Sequence, residues 1–247
     1  MQADTSYHIN LGTDQSNIAW FVRRMSGAKK DFESLAFLIP KDDDSELTEL
    51  VQTMVFFDDI NVALEAMKWI RSRLLPCLHS QVATYNSRRS KRAKDRVLRD
   101  YRKGSVKILL TTEAAGMVCC SQIFPKLVIK LNIMVFGLKG CDLPHVEQVV
   151  QFMVPKSLSI WIQRAGRAGR NRQIHARAIL LVQPSVFQEI SAGKGVEAVD
   201  EGVKYRKDVE EGLRKWIETE DCRRDASDEY FNDGVPRKGL LPFPYTL

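Results

Sequence analysis

The chain has 247 residues, 44% of them hydrophobic and 28% charged, with 14 Gly and 9 Pro. This composition excludes disordered, fibrous and collagen-like classes and suffices for one domain with a sizeable core, or one domain plus a small appendage. The 37 Lys and Arg outnumber the 31 Asp and Glu and leave a formal charge of +6, which favours an anionic partner such as nucleic acid only weakly. Five cysteines, an odd number without a CxxC pair, together with residues 1–10 that lack a secretory pattern, argue for a reducing compartment rather than a disulfide framework. The longest apolar run, 118–138, is interrupted by Pro125, Lys126 and Lys130, so no membrane partner is expected.

In chain order, Ile18–Val22, Met54–Phe57, Val82–Tyr85, Ile108–Thr111, Val146–Phe152 and Ala178–Val182 are short runs rich in β-branched and aromatic residues and read as strands. The longer stretches between them read as helices. Asn61 has N-cap chemistry for a helix over 62–75, where Val62, Ala66, Ile70 and Leu74 recur every four residues as an apolar stripe. A second helix is expected over 88–103, ending near Gly104, and a third over 157–168. Strand and helix alternation predicts an α/β fold, a parallel sheet flanked by helices on both faces. Beyond Pro184 the pattern changes. Residues 203–231 are expected to be helical, with Val209, Leu213, Trp216 and Ile217 on the buried side, and 240–247 to be a loose end. The chain therefore divides into a lobe at 1–187 and a short C-terminal helical appendage at 188–247.

The segment Gln163-Arg-Ala-Gly-Arg-Ala-Gly-Arg170 is the most informative. A helix through it would project Gln163, Arg167 and Arg170 from one face, while Gly166 and Gly169 would allow close backbone approach. Two glycines cost a helix about 1 kcal/mol each, so a purely structural helix has no reason to hold them. Converging guanidinium groups suit a polyphosphate; a solvated basic helix is the alternative. Residues 88–103 carry nine basic side chains against Asp95 and Asp100. Such a helix repels itself without an anion nearby, so Arg88, Arg89 and Arg92 are candidate nucleic-acid contacts, with a solvated face as the alternative.

Gln163–Arg170 resembles motif VI (QRxGRxGR) of superfamily 2 helicases, and Thr111–Met117 followed by Gly140-Cys-Asp-Leu-Pro144 resembles their motif V. Residues 17–24 and 54–59 resemble the strand that opens the second RecA-like lobe and the motif IV strand. Glu220-Asp-Cys-Arg-Arg224 with Tyr230-Phe231 resembles the start of the RecQ zinc-binding subdomain. The chain is thus similar to the C-terminal RecA-like lobe of a RecQ-like DNA helicase.

That resemblance implies ATP with Mg²⁺ held between this lobe and a first lobe, supplied in cis or in trans, and 3′-to-5′ movement on single-stranded or forked DNA. It implies Arg170 and Arg167 as arginine fingers on the phosphates, with Gln163, Asp142 and Gly116 around the nucleotide. Asp142 has a second reading as a turn residue before Pro144. Thr111 and Thr112 fall where the family contacts the single-strand backbone. The family's usual turn before the basic helix is replaced by Tyr85-Asn-Ser-Arg-Arg89, so individual contacts do not transfer there. A role in DNA repair or recombination is implied, in the nucleus of a eukaryote or otherwise in the cytoplasm.

Three departures shape the expectation. No GxxxxGK[ST] loop and no DExH or DEAD box occurs in the chain, so it is expected to be half of an enzyme and inactive alone. A non-catalytic nucleic-acid-binding module and an inactive helicase relic are the alternatives. Cys222 matches the first zinc ligand of the family, but no cysteine follows it, so no zinc is expected. Residues 118–139 split motif V; their removal restores an uninterrupted Thr-Thr-Glu-Ala-Ala-Gly-Met-Gly-Cys-Asp-Leu-Pro. Val118 and Lys139 permit GT and AG borders in frame, so the segment reads as a retained intron, against a genuine loop.

Overall fold

The β-branched runs pair side by side because each is apolar on both faces, the pattern of a central parallel strand. The computed structural model describes residues 15–40, 49–112, 143, 145–190 and 204–232. Among them, six strands form one sheet: β1 (Ile18–Arg24), β2 (Thr53–Phe56), β3 (Val82–Tyr85), β4 (Ile108–Thr111), β5 (Gln148–Phe152) and β6 (Ala176–Val182). Their order is β1-β6-β5-β2-β4-β3 and every pair is parallel. The α/β expectation holds.

Alternation along each strand divides the core into two layers. Met54 and Phe56 of β2, and Ala178 and Leu180 of β6, join a cluster with Val97, Tyr101, Trp161 and Trp216. Val55 and Phe57, with Ile179 and Leu181, join Phe32, Leu35, Ala66 and Ile70 on the other face. Helix α1 (Ile60–Arg73) and a 3₁₀ segment, Phe32–Leu38, therefore cover one face, and α2 (Lys91–Arg102) and α3 (Leu158–Ala165) cover the other. The stripe Val62, Ala66, Ile70 and Leu74 is buried as its spacing requires.

The helix ends differ from the sequence reading in three places. Asp59, not Asn61, caps α1, its carboxylate accepting from the Asn61 amide at 2.8 Å. Helix α2 begins only at Lys91, because Ser90 accepts from the Ala93 amide at 3.3 Å, and it ends at Arg102, just before Gly104, whose φ is +76°. The expected helix at 203–231 is two helices, α4 (Glu211–Glu218) and α5 (Arg223–Phe231), preceded by an antiparallel bridge from Tyr205 to Glu189. Thr219 breaks the run in extended backbone, and its hydroxyl accepts from the Asp221 amide at 3.2 Å.

These last helices fold onto the lobe. Leu213, Trp216 and Ile217 enter the same apolar cluster as Trp161, and the rings of Trp20, Trp161 and Trp216 meet edge to face with centroids 5.8–6.0 Å apart. Glu210 accepts from the Leu158 amide at 2.6 Å, so the appendage also satisfies the start of α3. Arg224 is buried and donates to the carbonyls of Gln15, Ser16 and Ile18, the last at 2.7 Å. The segments 118–139, 41–46 and 240–247 lie outside the described residues.

Candidate nucleic-acid and phosphate sites

In an open α/β sheet, ligands sit outside the strand ends where neighbouring connections leave in opposite directions. Here that point lies between β2 and β5: α1 leaves β2 toward β3, whereas α3 leaves β5 toward β6. A cleft of ≈ 520 Å³ opens there, floored by Phe57, Val62, Phe152 and Val154 and rimmed by Lys29, Asp58, Asp59, Arg88 and Lys207.

The backbone around the cleft is held by side chains. Met153 has φ +66°, a left-handed conformation that costs a non-glycine residue on the order of 1 kcal/mol. Gln151, fully buried on β5, donates to the carbonyls of Phe152 and Met153 at 3.2 and 3.0 Å, and Gln183 accepts from the Val154 amide at 3.0 Å. Lys207, delivered from the appendage, donates to the Val154 carbonyl at 3.2 Å. Burial lowers the pKa of its ammonium, and the nearby charge of Asp58 opposes that shift.

Of the residues expected to meet a strand, Thr111 ends β4 opposite Tyr85 of β3 and Phe56 of β2. It is fully buried, and its hydroxyl donates to the Thr112 carbonyl at 3.0 Å. Arg88 and Arg89 follow the end of β3; Arg88 is exposed and donates to Asn61 at 3.0 Å. Arg92 is exposed in the first turn of α2. The fold therefore gathers Thr111, Thr112, Arg88, Arg89 and Arg92 along one edge, beside the cleft. Asp142 and Gly116 lie outside the described residues.

The arginine segment sits at the opposite edge. Helix α3 stops at Ala165, three residues short of the expected 157–168, and 166–169 form a turn. Gln163, Arg167 and Arg170 are consequently not a helical i, i+4, i+7 row. Gly169 has φ +59°, and its amide donates to the carbonyl of Val146, just ahead of β5. Asn17, itself buried, donates to the carbonyls of Gly169 and Ile174 at 2.7 and 2.9 Å and pins the turn to the start of β1. Gln163 and Arg170 are exposed and Arg167 is half-buried. Gly169 leaves room for Asn17 and Ala176, which a Cβ there would meet, and the exposed Arg170 with the half-buried Arg167 gives this edge cations of the kind that suit a polyphosphate.

Arg164 behaves differently from its neighbours, which sequence reasoning did not foresee. Its side chain is 6% exposed and spans Asp58 at 2.8 Å and Gln151 at 2.6 Å, with its guanidinium 5.5 Å from the Phe56 ring centre. It ties α3 to the two strands that frame the cleft. Arg164→Ala is expected to lower stability by about 2–3 kcal/mol, read by denaturant unfolding, because it leaves the Gln151 oxygen buried without that donor. Arg164→Lys should recover less than half, a point charge being unable to serve both partners. Lys29, Met153 and Lys207 also reach the cleft without a local sequence signal.

Residues 38–172 match the helicase conserved C-terminal domain family. The chain belongs to that family. Its relatives include the ATP-dependent RNA helicase DBP4 of Encephalitozoon cuniculi (strain GB-M1), 25% identical over 150 residues, which are 47% of this chain and 33% of that protein. A probable eukaryotic initiation factor 4A of Trypanosoma brucei brucei (strain 927/4 GUTat10.1) is 24% identical over 125 residues, 51% of this chain and 24% of that one. The chain thus spans about a third or less of the curated relatives it matches. Among solved structures, Mss116p bound to ssRNA and AMP-PNP superposes with a TM-score of 0.50 at 15% identity, over 70% of this chain and 29% of that chain. That likeness concerns the fold: a helicase C-terminal lobe built on a RecA-like parallel sheet. Among the described residues no helix is long and apolar enough to cross a membrane, and no group of three or more His, Cys, Asp or Glu could hold a metal ion.

Proposed function

We propose that this helicase C-terminal lobe is half of an ATP-dependent, RecQ-like enzyme that moves 3′-to-5′ along single-stranded or forked DNA, and that it turns over ATP only with a first lobe supplying the phosphate loop and the Mg²⁺ ligands. The observation that carries this reading is the division of cations between two edges of one sheet. Arg167 and Arg170 lie on the glycine turn at the strand-start edge; Arg88, Arg89 and Arg92 lie with Thr112 at the strand-end edge, beside the cleft. Arginines on the first edge offset charge that develops on a transferring phosphoryl group, with Gln163, Asp142 and Gly116 completing the nucleotide side. Cations and backbone amides on the second accept a sugar–phosphate strand without reading its sequence.

The RecQ-like choice is supported by the Cys222-Arg-Arg224 segment, which lies beyond residue 172 and whose Arg224 grips the entry to β1. A second reading, action on RNA, is favoured by the two relatives, both of which are named for RNA helicase or initiation-factor roles, and by Mss116p, which was solved with ssRNA. Competition between single-stranded DNA and RNA of one sequence for the 247-residue chain separates them. The RecQ-like reading expects DNA to win. Arg88→Gln with Arg92→Gln should weaken either strand about ten-fold and reduce the salt slope by about 1–2, at about 0.7 per phosphate contact. Preference for RNA transfers the lobe to the RNA helicases, and binding of neither strand contradicts the strand-end assignment altogether.

A further inference from the structure

The outer face of α2 carries exposed cations that do not line the cleft. Val97 and Tyr101 are buried against the sheet, which fixes the rotation of the helix. Arg92, Arg96, Arg99 and Lys103 then fall within one narrow stripe on the opposite side, at successive spacings of four, three and four residues, and all four are exposed. At 1.5 Å per residue the stripe runs for about 16 Å. Among the described residues none of the four is in an ion pair, although Asp95 and Asp100 lie on the same helix. The first turn has no acidic residue and instead places Lys91 and Arg92 against the positive end of the helix dipole, an arrangement that local energetics disfavour.

The stripe's position gives it a direction. It begins next to Arg88 and Arg89 at the strand-end edge and leads away along α2, which follows β3, the outermost strand of the sheet. Duplex nucleic acid carries about one negative charge per 1.7 Å of axis, so a 16 Å row of cations at 4–6 Å intervals matches a duplex backbone better than a few loosely held phosphates. We propose that this stripe is a second contact, which takes the sugar–phosphate backbone of the double-stranded region flanking the single strand held at the cleft. It rests on the strand-end reading above and adds a place for the unopened part of a forked substrate. The contact is electrostatic and independent of base sequence.

The test compares a short single strand with the same strand continued into a duplex, each prepared as DNA and as RNA, binding to the full chain. In the variant Arg96→Gln, Arg99→Gln, Lys103→Gln, affinity for the tailed duplex should fall about ten-fold or more and its salt slope by about 2–3, at about 0.9 per phosphate contact, while the single strand stays within about two-fold. The duplex type that shows the loss is the natural one. Because the three side chains are exposed, an unchanged melting temperature accompanies the loss; Arg96→Glu with Arg99→Glu should deepen it. Unaltered binding of the tailed duplex overturns the proposal alone, as does an equal loss on the single strand, which would merge the stripe with the cleft track. Failure of the unmodified chain to bind either probe overturns both this proposal and the strand-end reading.

Discussion

Trp216→Ala is expected to destabilise the protein by about 3–5 kcal/mol, the range for truncating a fully buried Trp or Phe. Trp216 is fully buried and makes edge-to-face contacts with Trp20 of β1, at 5.8 Å, and with Trp161 of α3, at 6.0 Å. Its indole N–H donates to Ser227 on α5 at 3.0 Å, and Ser227 in turn donates to the Arg223 carbonyl. One side chain thus joins the lobe, α4 and α5. Its removal should expose 204–232 to protease before the sheet unfolds, since Arg224 and Glu210 lose their positions with it. Trp216→Phe keeps most of the packing and loses the bond to Ser227, so it should cost about 1–2 kcal/mol. Denaturant unfolding with limited proteolysis measures both. A loss below about 1 kcal/mol for Trp216→Ala would mean that the appendage is not part of the cooperative unit.

Gly169→Ala should act at the turn of the arginine segment with an effect of about 3 kcal/mol. The position has φ +59°, which costs an alanine on the order of 1–2 kcal/mol. A Cβ there would stand 2.5 Å from the Asn17 amide nitrogen and 3.0 Å from the Ala176 Cβ. The Asn17 side chain has no room to retreat without giving up the carbonyls of Gly169 and Ile174, and each orphaned buried group adds about 1–3 kcal/mol. A double-mutant cycle isolates the clash. In an Asn17→Ala background, Gly169→Ala should cost no more than the backbone strain, a coupling of about 1–2 kcal/mol. Independent, additive losses would show that Asn17 and the turn do not depend on one another.

Much of the architecture is readable from residues close together in the chain. Ile108–Thr111 and Ala178–Val182 read as strands because apolar, β-branched runs have few other uses at that length, and the α1 stripe follows from its four-residue recurrence. The end of α3 is not local in this sense. Gln163–Arg170 has a helical spacing of polar groups, yet the helix closes at Gly166, and the turn that follows is held by Asn17, more than 150 residues away, reaching the carbonyl of Gly169. The fate of its three arginines is equally non-local. Arg164, Arg167 and Arg170 are alike in sequence, yet Arg164 alone meets Asp58 and Gln151, because β2 and β5 become neighbours across the strand order. Lys207 reaches the cleft for a similar reason: the appendage folds back along α3, which its charged composition does not announce.

The central claim is that this lobe contributes arginines to a catalytic site that it cannot complete. ATP hydrolysis in a mixture of the full chain with a separately expressed first lobe of a RecQ-like helicase, with single-stranded nucleic acid present, tests it most directly. The account predicts no turnover by either component alone, turnover by the mixture, and a fall of about 10³-fold or more in kcat for Arg170→Ala, the scale of a lost arginine finger. Hydrolysis by the chain alone, or an Arg170→Ala mixture as active as the unmodified one, would contradict it.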